Sequence, residues 1–138
     1  MKNEDLKLIL VDSIMQNKEV GFSDAVSEAT RIVRLVKKTY EEEELPNMVE
    51  TLVDTYVIDP TIRSSLDRIK MAQFLRYTSL YLSKHDTENM DKNGIYESII
   101  KECRKDKDLC RKINNEYAMR GIIYGISRAK EEKQKTKE

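Results

Sequence analysis

Histidine, cysteine and tryptophan are scarce in this sequence. Its 138 residues include one histidine, two cysteines and no tryptophan. A site with two histidine ligands is therefore excluded, and two cysteines are too few for a disulfide framework. Cys103 and Cys110 lie seven residues apart, too far along one continuous helix to bond to each other. We therefore expect two free thiols in a reducing compartment.

Long apolar runs are also missing. No stretch approaches the roughly 18 apolar residues that a membrane-spanning helix requires. The N-terminal sequence is acidic beside its apolar run and has no small-residue cleavage site, so we expect no signal peptide and predict a cytoplasmic protein. Isoleucine is frequent, alanine is scarce and lysine exceeds arginine. This composition suggests an AT-rich genome, such as that of a low-GC bacterium or one of its mobile elements.

The common motifs of catalysis and cofactor binding are not present. There is no glycine-rich phosphate loop, no dinucleotide fingerprint and no nucleophile elbow. His85-Asp86 is a dipeptide found in metal-dependent phosphohydrolases, but the chain has no second histidine to hold the metal. The segment from Asn89 matches part of an EF-hand loop, yet its twelfth position is Ile100, which cannot ligate calcium. We predict a protein that is not an enzyme and uses no metal or cofactor.

Helical periodicity, in contrast, extends along the whole sequence. Apolar residues recur every three to four positions, and we find neither β-alternation nor an internal repeat. We predict an all-α fold, a single-domain bundle of five or six helices over residues 1–130, followed by a charged, frayed tail over 131–138. The predicted helices are 4–17, Ser23 or Asp24 to Tyr40 or Glu42, Pro46 to Tyr56, Asp59-Pro60 to Ser83, 95–104, and Asp106 or Asp108 through Ile126.

The first and fourth predicted helices carry more apolar surface than a small bundle needs. The first has so broad an apolar surface that it is either buried on two sides or lies at an interface. The second half of the fourth is apolar nearly all round, which suits either a central helix or a contact with another subunit. We select Met71, Phe74, Leu75 and Tyr81 from it as candidate interface residues.

Two glycines four residues apart interrupt the last predicted helix. Each costs about 1 kcal/mol relative to alanine in a helix interior, so a packing role is expected. In a continuous helix, Gly121 and Gly125 form a shallow groove that another backbone can approach closely, either within the chain or in a dimer. We include both in the candidate interface. The alternative is that Gly121 caps the end of the helix and an extended or turned segment follows.

The charge is balanced overall but unevenly distributed. Residues 101–138 carry 12 basic and 7 acidic residues, a net of +5, which leaves a net of −5 on the first 100. One basic patch, at 31–38, includes Arg31, Arg34 and Lys38, and a second, at 101–112, includes Arg104, Lys107 and Arg111. Such clusters are candidate phosphate-binding surfaces, although an isoelectric point of 6.6 is low for a nucleic-acid-binding protein.

These observations favour a non-enzymatic regulator or inhibitor that acts by stoichiometric binding to a protein partner. A mobile-element origin fits its size and composition, and a homodimer is one form that it could take. The alternative is a DNA- or RNA-binding regulator that uses the patches at 31–38 and 101–112. A carboxylate-metal enzyme is a third class, which predicts thermal stabilisation by magnesium or manganese.

Overall fold

The computed structural model describes residues 3–137, and the side chains of residues 4–133. Over this part of the chain the fold is entirely helical, which confirms the all-α prediction. The elements are α1 (Asn3–Asn17), α2 (Phe22–Lys37), a 3₁₀ turn (Glu42–Glu44), α3 (Leu45–Ile58), α4 (Ser65–Lys84), α5 (Lys92–Cys103), α6 (Lys107–Ile113) and α7 (Glu116–Lys137). None of these helices is both long enough and apolar enough to cross a bilayer.

Backbone contacts divide the chain into two compact units, Met1–Ala72 and Gln73–Glu138, which we call unit 1 and unit 2. Helix α4 is continuous through the boundary. Each unit has its own cluster of buried apolar side chains. The single-domain organisation of residues 1–130 stays a prediction.

Unit 1 is built on the packing of α1 against α2 and α3. The buried stripe of α2 has the spacing that the sequence predicts, and it runs from Ala25 to Val36. Helix α1 buries Leu6, Leu10 and Ile14 on its inner side. Its opposite side leaves a further set of apolar side chains exposed: Leu8, Ile9 and Met15.

The predicted start of the fourth helix at Asp59-Pro60 is wrong. The Asp59 carboxylate instead accepts hydrogen bonds from the backbone N–H and hydroxyl of Thr61, so it closes a local turn. Helix α4 begins six residues later, where the Ser64 hydroxyl accepts from the N–H of Asp67. The intervening carbonyls of Pro60 and Ile62 are held by the guanidinium of Arg68.

Unit 2 combines the second half of α4 with α5, α6 and α7. Its buried cluster includes Phe74 from α4, Ile99 from α5 and Ile122 from α7. At Gly125 the backbone of α7 comes so close to α4 that an added Cβ would lie 2.8 Å from Cγ2 of Thr78. The glycine therefore permits a close helix approach within this chain.

The prediction of a single helix from Asp106 or Asp108 through Ile126 is wrong, which also makes the total of five or six helices too low. Helix α6 ends at Ile113, and α7 begins at Glu116. The side chain of Asn115 accepts hydrogen bonds from the N–H groups of Tyr117 and Ala118, which is the geometry of an N-cap.

Beyond that break the helix is continuous through both glycines, so the alternative in which Gly121 ends it is wrong. Residues 131–137 continue α7, and Glu138 lies outside the described residues. The fraying of 131–138 stays a prediction.

Candidate functional site

A surface hollow of about 110 Å³ lies in unit 2 where α5 faces the junction of α6 and α7. Ile100 and Ile113 are almost fully buried within it and supply an apolar floor. The space is somewhat smaller than the ~150 Å³ cavities that admit benzene, so it suits one aliphatic side chain. The lining residues are Tyr96, Glu97, Ile100, Arg104, Ile113, Asn114 and Met119.

The hollow depends on the break between α6 and α7. Asn114 has φ −81° and ψ 43°, outside the helical region, and it lines the hollow itself. Because Asn115 caps a new helix at this point, Met119 falls in the first turns of α7, where it also lines the hollow. The same two asparagines therefore end one helix, start the next and shape the space between them and α5.

The rim of the hollow combines apolar and charged groups. Met119 is 37% exposed, and Ile123, one turn farther along α7 on the same side, is 49% exposed. Arg104, just past the end of α5, is exposed, and its guanidinium has no partner among the described side chains. Glu97 adds one carboxylate to the lining. An apolar floor beside a free cation suits a ligand that carries both an aliphatic group and a negative charge.

The candidate interface residues predicted on α4 lie mainly inside the chain. Met71, Phe74 and Leu75 are buried, and Tyr81 is half-buried. Tyr81 stacks on the exposed His85, with ring centroids 4.0 Å apart. Met71 is buried in unit 1, and Phe74 and Leu75 are buried in unit 2. A role in partner contact stays a prediction.

The two glycines of the candidate interface are also buried in the chain. Gly125 faces Thr78 and Leu75 of α4, so its close contact is made within unit 2. The close approach at Gly125 is therefore to a helix of the same chain, and a groove that includes Gly121 stays a prediction.

The six candidate phosphate-binding residues are all exposed. Arg31, Arg34 and Lys38 lie along the outer side and C-terminal end of α2 in unit 1. The second set lies in unit 2, where Arg104 lines the hollow and Arg111 pairs with Asp108 at 3.3 Å. Lys107 begins α6. Only Arg104 among the six is a lining residue, so the cation and apolar features meet at that side chain.

Sequence reasoning missed most of the hollow. Tyr96, Ile100 and Met119 are not among the predicted site residues, although each belongs to an apolar helical stripe. A stripe residue that is partly exposed has the same spacing as one that is fully buried, so periodicity alone does not separate them. The available signal was the pair Asn114-Asn115, whose side chains favour helix ends and caps.

A fully buried charged side chain, Arg68, lies elsewhere, in unit 1. This side chain is 0% exposed, and its guanidinium lies 3.6 Å from the centre of the Tyr56 ring. It donates to the Thr55 hydroxyl at 3.2 Å and to the Ile62 carbonyl at 3.1 Å. Burial lowers the pKa of Arg68, and the nearby Tyr56 and Glu28 partly oppose that shift. Because the group is fully enclosed and bonded to its own loop, we assign it a structural role.

The cysteines of unit 2 are not arranged for nucleophilic chemistry. Cys103 is buried and Cys110 is half-buried, and both are free thiols. Burial raises the pKa of Cys103, and a hydrogen bond with Tyr77 opposes that shift only in part. The protonated thiol is a poor nucleophile, so we treat Cys103 as a core residue. Among the described residues no group of three or more His, Cys, Asp or Glu side chains is placed to hold a metal.

Comparison of the chain with protein-family models, with curated proteins and with solved structures found no match.

Proposed function

We propose that this protein acts by stoichiometric binding to a protein partner, and that the hollow of unit 2 is its contact site. The observation that carries the proposal is that an apolar floor, the exposed Met119 and an unpaired Arg104 line one hollow, with the exposed Ile123 one turn farther along α7. Interfaces of this kind place a few anchors in a pocket and surround them with polar groups. The binding would make the protein a regulator or inhibitor, without catalysis of its own.

Affinity capture from a lysate of the source cells tests this function. The full chain is the bait in parallel captures with and without nuclease, and bound proteins are identified by mass spectrometry. We expect a stoichiometric partner that is lost when Met119→Asp places a charge at the hollow. Leu80→Asp is the matched control, because Leu80 is an apolar residue of unit 2 with a similar exposure, 45% against 37% for Met119, and it does not line the hollow. Capture that survives Met119→Asp would contradict the site.

The second candidate function is DNA or RNA binding through the patches at 31–38 and 101–112. It is favoured by the exposure of all six predicted cations. Phosphate binding weakens steeply between low and moderate salt, whereas apolar docking responds little. A salt titration of the captured complex therefore separates the two functions, and loss of the complex on nuclease treatment would support the nucleic-acid reading.

A cytoplasmic location and an origin in a bacterial mobile element belong to the same proposal. The cytoplasmic location is supported by the two free thiols, because extracellular compartments are oxidising and favour disulfides. The mobile-element origin is supported by composition alone. Homodimerisation, which the sequence left open, is tested by the mass of the purified protein in solution. Thermal stabilisation by magnesium or manganese would instead point to a carboxylate-metal site.

A further inference from the structure

The lining of the hollow holds one carboxylate, Glu97, and one cation, Arg104, but the segment that continues from it is rich in positive charge. From the end of α5 through α6 the chain carries six basic and three acidic residues. All three acidic side chains are already used within the chain. Glu102 pairs with Lys105 at 3.3 Å, and Asp108 pairs with Arg111 at 3.3 Å. Asp106 accepts hydrogen bonds from backbone N–H groups in the first turn of α6.

Four cations remain without a partner among the described side chains: Lys101, Arg104, Lys107 and Lys112. Three of them lie in or just after the last turn of α5 or α6, where the helix dipole favours positive charge. Lys107 does not, because it is the first residue of α6, where the dipole opposes a cation. Local helix stability therefore does not account for Lys107, and its charge is available to an anionic partner.

The apolar residues of this surface restrict the class of molecule that can be the partner. A phosphate backbone would use the cations alone and would leave Met119, Ile123 and the floor of the hollow without a role. A partner helix that carries an aliphatic anchor would contact both the cations and the apolar residues. Met119 and Ile123 lie one turn apart on α7, which suits apolar side chains that repeat once per turn on that partner helix. Charge complementarity then requires acidic residues beside the anchor.

We propose that the hollow binds an acidic amphipathic helix of a protein partner. One leucine-sized side chain enters between Ile100 and Met119, and carboxylates on the adjacent turn face Arg104 and the neighbouring lysines. This assignment rests on the protein-binding function proposed above and adds the chemistry of the partner.

A peptide-display selection tests the assignment without knowledge of the natural partner. The full chain is immobilised, and a library of helix-biased random peptides is selected against it. We expect enriched peptides to have aliphatic residues at helical spacing and a clear excess of Asp and Glu. The best peptide should lose binding to Met119→Asp and keep it with Leu80→Asp. The double variant Arg104→Glu, Lys107→Glu should bind it about tenfold more weakly or worse.

The other possible outcomes distinguish the acidic-helix assignment from the protein-binding function on which it rests. Peptides that need Met119 but are neutral or basic would overturn the acidic-helix assignment and leave the protein-binding site intact. A selection that yields no binder sensitive to Met119→Asp would contradict both. Self-association of the full chain that Met119→Asp abolishes would assign the hollow to a second copy and would also overturn the proposal.

Discussion

The two units of this molecule differ in how deeply they bury charged side chains. Unit 1 encloses Arg68 completely and half-buries an ion pair between Lys18 and Glu28, whose atoms lie 3.1 Å apart. Unit 2 encloses no charged side chain completely among its described residues, and it leaves four cations around α5 and α6 without a described partner. The buried charge of unit 1 therefore fixes the chain to itself. The exposed cations around α5 and α6, like Arg31, Arg34 and Lys38 on the outer side of α2, are available to another molecule.

Exposed apolar surface does not distinguish the units in the same way. Helix α1 exposes Leu8, Ile9 and Met15, as α7 exposes Met119 and Ile123. The α1 residues lie along one helix, whereas Met119 adjoins a hollow that α5 and Asn114 help to form. A binding site needs both an anchor pocket and a polar rim, so exposed aliphatic residues alone do not identify one.

The largest effect that we expect comes from the buried charge of unit 1. Arg68→Ala removes the guanidinium and leaves the acceptors of Thr55, Pro60 and Ile62 without their donor. We expect a loss of about 3–5 kcal/mol in the free energy of unfolding, measured by urea denaturation. Arg63→Ala, at an exposed arginine of the same loop, is the control and should change little.

Arg68→Met separates volume from charge, because it fills most of the space without the hydrogen bonds. We expect it to be less damaging than Arg68→Ala, since a buried charge can often be replaced by an apolar side chain of similar size. Equal stability of Arg68→Ala and the original protein would show that the guanidinium does not hold the 59–64 loop.

The next effect concerns the close helix approach in unit 2. Gly125→Ala gains about 1 kcal/mol of helix propensity, but its Cβ would lie within 3 Å of two atoms of Thr78, whose branched side chain cannot move aside. We expect a net loss of about 1–3 kcal/mol in the free energy of unfolding. Gly21→Ala is the matched control, because its added Cβ has nothing within 4 Å. A stabilised Gly125→Ala protein would contradict this contact.

Local sequence signals predicted the helices whose buried faces repeat regularly. The stripe from Ala25 to Val36 and the start of α3 near Pro46 depend on neighbours within one or two turns, so spacing and proline position suffice. The failure at Asp59-Pro60 has the opposite origin. In this loop the carbonyls of Pro60 and Ile62 accept hydrogen bonds from Arg68, which lies six to eight residues farther along the chain. A local sequence pattern does not contain that interaction.

The site was less predictable than the fold for a similar reason. Its cation, Arg104, was identified from a basic cluster that is visible in sequence. Its apolar residues, from Tyr96 to Met119, come from three helices, and their exposure depends on the turn at Asn114-Asn115. Sequence reasoning continued one helix through that turn, and so it could not place Met119 beside Ile100.

High pH should destabilise both units, and unit 1 more than unit 2. Burial raises the pKa of Tyr56 in unit 1 and of Tyr77 in unit 2 above the ordinary value of 10.0. Above pH 10 the unfolded tyrosine loses its proton before the folded one does, so the free energy of unfolding falls as pH rises. The slope reaches up to about 1.4 kcal/mol per pH unit for the fully buried Tyr56 and is smaller for the half-buried Tyr77, which water screens.

Tyr56→Phe and Tyr77→Phe should each flatten this alkaline slope, and the double variant should show the sum, because the two residues share no partner. The measurement is urea unfolding at a series of pH values above 9. A slope that neither substitution changes would show that these hydroxyls ionise equally well in the folded and unfolded protein.

The smallest effect tests whether the free cations of unit 2 serve the fold. Lys107 opens α6, where a negative charge is favoured, so Lys107→Glu should raise the free energy of unfolding by about 0.3–1 kcal/mol. Lys112→Glu, at the other end of the same helix, should lower it by a similar amount and is the matched control. If Lys107→Glu weakens partner binding while it stabilises the chain, then the lysine is retained for recognition at a cost to stability. If the Lys107→Glu protein is instead less stable than the original, then Lys107, like Arg68, stabilises the fold.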